Sequence, residues 1–309
     1  MTNVVVMIRE FPGADTLKTV SEIATEYHLL RDGRQLAYTR YGRPGGTPVY
    51  YFHGCPGSRL EGIPTDGPAA AAGFDVFALD RPGCGQSSYA QRYRMLDWPM
   101  DVVDFADAMH HQKFGIIGLS GGGAYIDACA HTIPERLLFA YDLAGWGPVA
   151  QAQELQRHLA PLDRFFLNRA SSLAVFFRLP FTIIGLMAKR LGDRGFANAL
   201  RSSMGLDDRE LILSNENMMR FFRMIVKESF SQGVRGPADD AIRCYSDWGF
   251  DLHDIDFPLR LWHGTDDKFA SVEFARFKHT AIEQSSIRIF PDRGHLHFVT
   301  IYDELFADI

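Results

Sequence analysis

A serine flanked by glycines at a strand-to-helix junction is the feature that most constrains this chain. Residues 118–122 read Gly-Leu-Ser-Gly-Gly; a strand-like apolar run over 114–117 precedes them and a helix-like run follows. A turn this sharp brings Gly118 and Gly122 against neighbouring backbone, so small residues there let Ser120 hold a strained conformation with its hydroxyl exposed. The N-terminus of the following helix supplies oriented N–H groups for a developing oxyanion. The pattern is compatible with a simple glycine-rich turn or with a nucleophilic serine, and the motifs in the rest of the chain favour the serine.

Length and charge narrow the class of protein. The chain has 309 residues, of which 46% are hydrophobic and 23% charged, enough for one sizeable core with an inserted subdomain. The formal net charge is −6 and no basic patch stands out. We therefore expect no nucleic-acid partner.

The cysteines and the N-terminal residues indicate the cellular compartment in which the protein acts. The four cysteines, at positions 55, 84, 129 and 244, form no Cys-x-x-Cys pair and no zinc-type cluster, which is typical of reduced thiols in a cytoplasmic protein. The apolar run over 4–8 has no basic residues before it and is too short for a signal peptide or a membrane span. We expect a cytoplasmic location.

Strand-like and helix-like runs alternate along most of the chain. Asp32-Gly33 between the first two strand-like runs predicts a hairpin. The alternation predicts an α/β fold with a doubly wound, mostly parallel eight-stranded sheet. The predicted strands are 26–30, 35–41, 49–52, 75–79, 114–117, 137–143, 259–264 and 286–290, and the last predicted helix is 296–306.

The pattern divides the chain into four parts. Residues 1–25 form an arm without an assigned role, which either covers the core or meets a second subunit, so a homodimer stays open. Residues 26–147 and 246–309 carry the alternating strands and helices. Residues 148–245 are aromatic and arginine-rich, without clear buried strands. We expect that stretch to be a helical insertion between two strands of the sheet.

Five motifs in sequence order resemble those of the α/β-hydrolase family, and the resemblance covers about 26–309. They are His-Gly-Cys-Pro-Gly at 53–57, Asp-Arg-Pro-Gly-Cys-Gly-Gln-Ser at 80–87, the glycine-flanked serine at 118–122, Gly-Thr-Asp-Asp at 264–267 and Gly-His at 294–295. A serine at the nucleophile position argues against the epoxide hydrolase and haloalkane dehalogenase branches, which use aspartate.

The resemblance implies a Ser-His-Asp triad. Ser120 is the expected nucleophile, His295 the base that activates it, and Asp267 the acid that orients the histidine. Their order along the chain is the one expected for this fold. His297 is the alternative base, and the alternative acids are Asp266 and, after the preceding sheet strand, Asp142.

The resemblance also implies an oxyanion hole made of two backbone N–H groups. One belongs to Gly121, directly after the nucleophile, and the other to Cys55 in the loop after the third strand. A thiol nucleophile at Cys55 or Cys84 is the alternative, although neither cysteine has an activating signature nearby.

Charged residues close to these loops are expected to lie outside the triad and the oxyanion hole. Arg59 and Glu61 follow the oxyanion loop, and we expect them either to line the site entrance or to form a solvated, helix-capping pair. The turn over 80–83 is expected to position neighbouring loops, with no part in the chemistry.

In the resembled family, an insertion at this position is a cap over the active site that selects the substrate. Its strongly apolar runs favour a substrate with an apolar acyl or alcohol group, although most such side chains pack the cap onto the core. Arg178 and Pro180 interrupt the stretch 171–188, so no transmembrane segment is expected. The apolar runs are Phe165-Phe166, Phe176-Phe177, 181–187 and Phe221-Phe222.

The resemblance therefore implies a serine hydrolase that cleaves a carboxylic ester or lactone of a fairly apolar small molecule through an acyl-enzyme, without a metal or organic cofactor. Substrate-binding residues are not identified. The alternatives are a carbon–carbon bond or amide hydrolase, including an aminopeptidase, and a non-hydrolytic ligand-binding relative. An aminopeptidase needs acidic groups for the substrate amine, and the available ones are Glu210, Glu216 and Asp239 or Asp240.

Overall fold

The computed structural model describes residues 24–159, 163, 164, 167 and 174–309. Its centre is one eight-stranded sheet with strand order β1-β2-β4-β3-β5-β6-β7-β8. The strands are β1 (Glu26–Leu29), β2 (Gln35–Gly42), β3 (Thr47–Phe52), β4 (Phe74–Leu79), β5 (Phe114–Leu119), β6 (Leu137–Leu143), β7 (Leu259–Gly264) and β8 (Ser286–Phe290).

The predicted fold class is confirmed. Strand β2 runs antiparallel to β1 and β4, and every other neighbouring pair is parallel. The predicted hairpin joins β1 to β2, with Gly33 at φ 85° in its turn. Most of the predicted arm, residues 1–23, lies outside the described residues.

Helices cover both faces of the sheet because its central strands are apolar on both sides. The α-helices of the described residues are α1 (Asp66–Ala72), α2 (Trp98–Ala108), α3 (Gly121–Thr132), α4 (Ala174–Arg190), α5 (Asp193–Ala199), α6 (Leu206–Leu213), α7 (Glu216–Ser229), α8 (Arg235–Tyr245), α9 (Val272–Ala281) and α10 (Tyr302–Asp308).

Alternating side chains of β3 pack into two hydrophobic clusters, one on each face of the sheet. Tyr50 packs in a cluster that contains residues of α2, α3 and α9, whereas Val49 and Tyr51 pack in a second cluster with residues of α1 and α10. Successive strand residues point to opposite faces. Because β3, β5, β7 and β8 run in the same direction, their carboxyl ends lie at one edge of the sheet, and the loops that follow them converge there.

Helices α4 to α8 lie between β6 and β7, and we call residues 144–258 the β6–β7 segment. Helix α4 packs on α7 and α8, and α7 packs on a 3₁₀ helix over Arg59–Thr65 that follows β3. Phe165, Phe166 and the side chains of 174–177 lie outside the described residues. In the part of the chain that the structure describes, no helix is both long and apolar enough to span a bilayer.

The last predicted helix, 296–306, is divided. Residues His295–Thr300 form a 3₁₀ helix, and α10 begins only at Tyr302. Ile301, at φ −116° and ψ 22°, leaves the helical region and interrupts the hydrogen-bond ladder. The break places the Tyr302 hydroxyl 2.9 Å from that of Tyr51 on β3, which anchors the C-terminal helix to the sheet.

Candidate active site

Ser120 occupies the strained turn between β5 and α3. It has φ 57° and ψ −119°, which is rare for a residue with a side chain, and it is half-buried. Its N–H donates to Leu143 O at 2.9 Å, and its carbonyl accepts from Trp146 N at 3.0 Å. A Cβ on Gly118 would lie 2.6 Å from Ile126 Cγ1, so glycine is required where β5 enters the turn.

Asp267 and His295 are in direct contact. His295 Nδ1 lies 2.7 Å from Asp267 Oδ2, and both side chains are buried. Asp267 Oδ1 accepts from the backbone N–H groups of Phe269 at 2.9 Å and Ala270 at 2.8 Å. Burial by itself raises the pKa of Asp267, but the two histidines beside it, His295 and His263, outweigh burial and hold the pKa well below its ordinary value. The carboxylate is therefore ionised.

His263 is a buried neighbour that sequence reasoning missed. Its Nε2 lies 2.9 Å from Ala270 O and 3.2 Å from Asp267 Oδ2. Both partners are acceptors, so Nε2 carries the proton. The residue is the last but one of β7 and lies four positions before Asp267, and no motif marks it. It supplies Asp267 with an additional hydrogen bond.

The contact with Asp267 sets the tautomer of His295. Nδ1 must carry a proton to donate to the carboxylate, which leaves Nε2 as the basic nitrogen. Burial lowers the pKa of His295, but the charges of Asp267, Asp208 and Glu61 outweigh it and raise the pKa above its ordinary value. Within the described residues, His295 Nε2 and Ser120 Oγ are not hydrogen-bonded to each other, a contact that commonly tightens only with substrate.

The backbones of Cys55 and Gly121 lie side by side next to the serine. A Cβ on Gly121 would be 3.4 Å from Cys55 N, and one on Gly54 would be 3.3 Å from Ser120 Cβ. Gly121 is the first residue of α3, so its N–H has no intrahelical acceptor. Among the described residues, Cys55 N has no acceptor either. Two unpaired N–H groups beside a serine hydroxyl can bind an oxyanion.

The alternative triad residues lie elsewhere. His297 packs against the Phe290 ring, with a centroid distance of 5.6 Å, and burial lowers its pKa to about 4. Asp266 Oδ2 accepts from the backbone N–H of Asp207 at 3.1 Å. Asp142 is buried 2.8 Å from Lys278 Nζ. None of the three contacts His295.

The assignment of Arg59 and Glu61 to the entrance or to a solvated pair is wrong, because both side chains are buried. Arg59 pairs at 2.8 Å with Asp80 and with Glu228. Glu61 Oε1 accepts from Gly54 N at 2.8 Å. Burial raises the pKa of Glu61 to about 7. The 3₁₀ helix that carries them turns their side chains inward, against the loop after β4 and the oxyanion loop.

The two thiols are poor nucleophiles in this setting. Burial, joined by the charge of Asp240, holds the pKa values of Cys55 and Cys84 well above the ordinary value. Cys55 Sγ donates to Pro237 O at 3.6 Å, and Cys84 is fully buried. Both sulfurs therefore stay protonated near neutral pH.

The acidic groups considered for binding an amine are not grouped at the serine. Glu210 and Glu216 are exposed. Asp239 accepts from the Tyr89 hydroxyl at 2.6 Å, and Asp240 is buried and ion-paired. The side chains around the buried Ala241, beside the oxyanion loop, are instead half-buried and largely apolar: Cys55, Phe181, Ile242 and Tyr245.

Helix α6 supplies two carboxylates to the histidine loop. Asp207 Oδ2 accepts from Gly294 N at 2.8 Å, while Asp208 accepts from His295 N at 3.2 Å and Leu296 N at 2.7 Å. Together they cap the 3₁₀ helix that begins at His295. Sequence analysis missed both residues, because no motif relates positions 207 and 208 to a loop far along the chain.

A family model described as "alpha/beta hydrolase fold" matches residues 47–300. The chain is 35% identical over 135 residues to the dihydrolipoyllysine-residue acetyltransferase component of an acetoin cleaving system from Pseudomonas putida. It is 34% identical over 110 residues to a poly(3-hydroxyalkanoate) depolymerase from Ectopseudomonas oleovorans. These matches cover 43% and 34% of this chain, and only 36% and 38% of the relatives' lengths.

A longer match and two solved structures extend the comparison. A non-heme chloroperoxidase from Burkholderia pyrrocinia is 24% identical over 92% of this chain and 97% of its own. The fold is similar to an esterase from Exiguobacterium antarcticum (TM-score 0.69, 15% identity) and to the enol-lactonase from Burkholderia xenovorans LB400 (TM-score 0.64, 16% identity). Each structural match covers 92% of this chain and 97% of the other.

Proposed function

The chain belongs to the α/β-hydrolase fold family, and from that premise we propose that it hydrolyses a carboxylic ester or lactone of a fairly apolar small molecule. The observation that carries the proposal is the strained Ser120 beside two unpaired backbone N–H groups. The Asp267–His295 pair, at 2.7 Å, adds a base of defined tautomer. An esterase and an enol-lactonase share the fold, which fits this reaction class.

The proposed chemistry proceeds through an acyl-enzyme. His295 Nε2 accepts the Ser120 hydroxyl proton as the oxygen attacks the carbonyl carbon, and Asp267 stabilises the imidazolium that forms. The N–H groups of Cys55 and Gly121 donate to the tetrahedral oxyanion. When the intermediate collapses, His295 protonates the leaving alcohol. A water molecule activated by the same histidine then releases the carboxylic acid and restores Ser120.

We also propose that residues 148–245 act as a cap that selects the substrate. The half-buried side chains of Phe181 and Ile242 lie beside the oxyanion loop, where they would contact an acyl or alcohol group. Because burial of apolar surface is favourable, these side chains favour a substrate with an apolar group. All four cysteines are free thiols, which suits a reducing compartment, so we propose that the enzyme acts in the cytoplasm.

Hydrolysis of p-nitrophenyl esters, from acetate to dodecanoate, tests this function, with a panel of lactones run in parallel. Wild type and Ser120→Ala are compared, and Ser88→Ala serves as a control on a loop serine outside the site. We expect turnover by wild type and the control, none by Ser120→Ala, and a chain-length optimum beyond acetate. A well-folded wild type that turns over no ester and no lactone would contradict the proposal.

A further inference from the structure

Arg81 is buried beneath the oxyanion loop and bonded to its backbone. The side chain is fully buried. Its Nη2 donates to Gly54 O at 2.9 Å, and its Nη1 donates to His53 O. Sequence analysis gave the turn over 80–83 no part in the chemistry. The guanidinium instead contacts the two carbonyls that directly precede Cys55.

These contacts fix the direction of the Cys55 N–H. Gly54 O and Cys55 N belong to one planar trans peptide, in which the C=O and N–H bonds point in opposite directions. Gly54 O is held by Arg81 and also lies 2.7 Å from His53 Nδ1. Arg81 N donates to His53 Nε2 at 3.1 Å, so the ring proton is on Nδ1 and points at Gly54 O.

The preceding peptide is fixed as well. Its carbonyl, His53 O, accepts from Arg81, and its N–H, Gly54 N, donates to Glu61 Oε1 at 2.8 Å. Three of the four polar groups in the two peptides that flank Gly54 are therefore bonded to buried side chains. In the described part of the chain, the fourth group, Cys55 N–H, has no partner and is available to an oxyanion.

Asp240 on α8 holds the guanidinium in place. It accepts from Arg81 Nε at 2.9 Å and Nη2 at 2.7 Å, the two-pronged geometry that fixes the plane of an arginine. The Tyr125 hydroxyl donates to the same carboxylate at 2.6 Å, and Arg243 Nη2 donates at 3.2 Å. The pair is fully buried, so neither partner has water as a substitute.

The same face of α8 contacts both halves of the oxyanion hole. Cys55 Sγ donates to Pro237 O at 3.6 Å, and Cys244 Sγ lies 3.9 Å from Gly121 O. Positions 237, 240 and 244 are three and four residues apart, which places them on one side of the helix. Helix α8 thus contacts the Cys55 side and the Gly121 side, and its Asp240 holds Arg81.

We propose that Arg81 is a positioning residue of the oxyanion hole, which orients the Cys55 N–H through the Gly54 carbonyl, and that Asp240 of α8 sets the orientation of Arg81. The inference rests on the proposed function of Ser120. It makes α8 a structural part of the hole, beyond any role in covering the substrate. A displacement of α8 would therefore weaken oxyanion binding without touching the triad.

The test compares Arg81→Lys, Arg81→Met, Asp240→Asn and the double variant Arg81→Met/Asp240→Asn. Lysine keeps the charge beside Asp240 but lacks the planar fork that also reaches two carbonyls. The double variant removes one positive and one negative charge together, so the net charge of the buried cluster is unchanged, and Arg243 keeps its 2.9 Å hydrogen bond to the Tyr125 hydroxyl. Asp127→Asn is the matched control, because it neutralises another buried carboxylate, 2.5 Å from Lys278. Each variant's fold is checked by near-UV circular dichroism and thermal unfolding.

Three measurements distinguish a positioning role of Arg81 from a general loss of structure. They are kcat and KM on the best ester, the inhibition constant of an alkyl boronic acid that forms a tetrahedral adduct, and the rate of Ser120 labelling by a fluorophosphonate. We expect folded Arg81 and Asp240 variants to lose kcat by on the order of 10- to 100-fold, less than removing an oxyanion donor outright, with KM within about twofold. Boronate affinity and labelling rate should fall in parallel, while Asp127→Asn stays near wild type.

Folded Arg81→Lys or double-variant protein with wild-type kcat and boronate affinity would overturn the inference, as would a loss confined to KM. Because these two variants preserve charge balance, they provide the test even if Arg81→Met does not fold. Failure of the proposed function is distinguishable, since it appears in the wild type itself: no fluorophosphonate labelling if Ser120 is not the nucleophile, and labelling without ester or lactone turnover if only the substrate class is wrong.

Discussion

The carboxylate of Asp208, on α6, accepts a 3.2 Å hydrogen bond from the backbone N–H of His295. The residue proposed as the base is therefore held by the β6–β7 segment as well as by the core. Burial raises the pKa of Asp208 to about 6, and the neighbouring His295 opposes that rise. Each of the two groups shifts the pKa of the other, so a change at Asp208 should alter the pH dependence of catalysis.

We predict that charge removal near His295 shifts the acidic limb of the pH profile. Asp267, Asp208 and Glu61 all raise the pKa of His295, and the base works only when neutral. Asp208, with its pKa raised to about 6, is ionised near neutral pH, so Asp208→Asn removes one negative charge and the pKa of His295 falls. The acidic limb of kcat/KM should move to lower pH by about half a unit.

The control for that profile is Glu210→Gln, which removes an exposed charge from the same helix as Asp208. Its acidic limb should coincide with that of wild type. A limb that stays unchanged in Asp208→Asn, or moves to higher pH, would contradict the assigned electrostatics.

Neutralising Asp267 should remove most activity. Asp267→Asn no longer selects the His295 tautomer or stabilises the imidazolium, and we expect kcat to fall roughly 1,000- to 10,000-fold with an intact fold. Asp266→Asn is the matched control one position away, and its amide oxygen can still accept from Asp207 N. Steady-state kinetics of the two variants would refute the assignment if Asp266→Asn proved the more damaging.

Glu61 should make stability depend on pH in a defined direction. Burial raises its pKa from 4.5 to about 7, so the folded state binds this proton more tightly than the unfolded state. Its contribution to stability is fully present below pH 4.5 and is lost as pH rises through 7. Urea unfolding of wild type and Glu61→Gln at several pH values measures it.

In that comparison, the free energy of unfolding of wild type should fall relative to that of Glu61→Gln as pH rises from about 5 to 8. Groups such as Asp208 titrate in both proteins and cancel in the difference. A difference that is constant over this range would show that Glu61 keeps the same protonation state in the folded and unfolded chains.

The turn at Ser120 should not tolerate a methyl group at Gly118. An added Cβ would meet Ile126 Cγ1 at 2.6 Å and Gly122 O at 2.7 Å, so Gly118→Ala must displace β5 or α3 and lower both stability and kcat. Gly67→Ala is the control, because a Cβ there has nothing within 4 Å and the site is helical. Thermal unfolding should show Gly67→Ala at or above wild type.

Sequence could predict the parts of the site that depend on local backbone geometry. Gly118 precedes a turn that has no room for a Cβ, and this local requirement is what singles out Ser120 in the sequence. The spacing Gly264-x-x-Asp267 likewise selects the carboxylate that the structure places beside His295. The strand pattern was sufficient to predict the sheet, because buried parallel strands are continuous apolar runs in the sequence.

The missed contacts all join residues distant in sequence. Asp208 reaches His295, and Asp240 reaches Arg81, through the packing of the β6–β7 segment on the core. Nothing in the spacing of these residues encodes that packing. Glu61 was misplaced because a charged residue in a polar loop is usually solvated, whereas here Gly54 N and the Tyr51 hydroxyl supply its hydrogen bonds.

Trapping of the acyl-enzyme is the most direct test that Ser120 is the nucleophile. Wild type, His295→Ala and Ser120→Ala are mixed with p-nitrophenyl butyrate, quenched in acid within seconds, digested and examined by mass spectrometry. The account predicts a butyryl adduct on Ser120 in wild type, a much lower yield in His295→Ala, and none in Ser120→Ala. Undiminished ester hydrolysis by Ser120→Ala, with no adduct on Ser120 in the wild type, would contradict it.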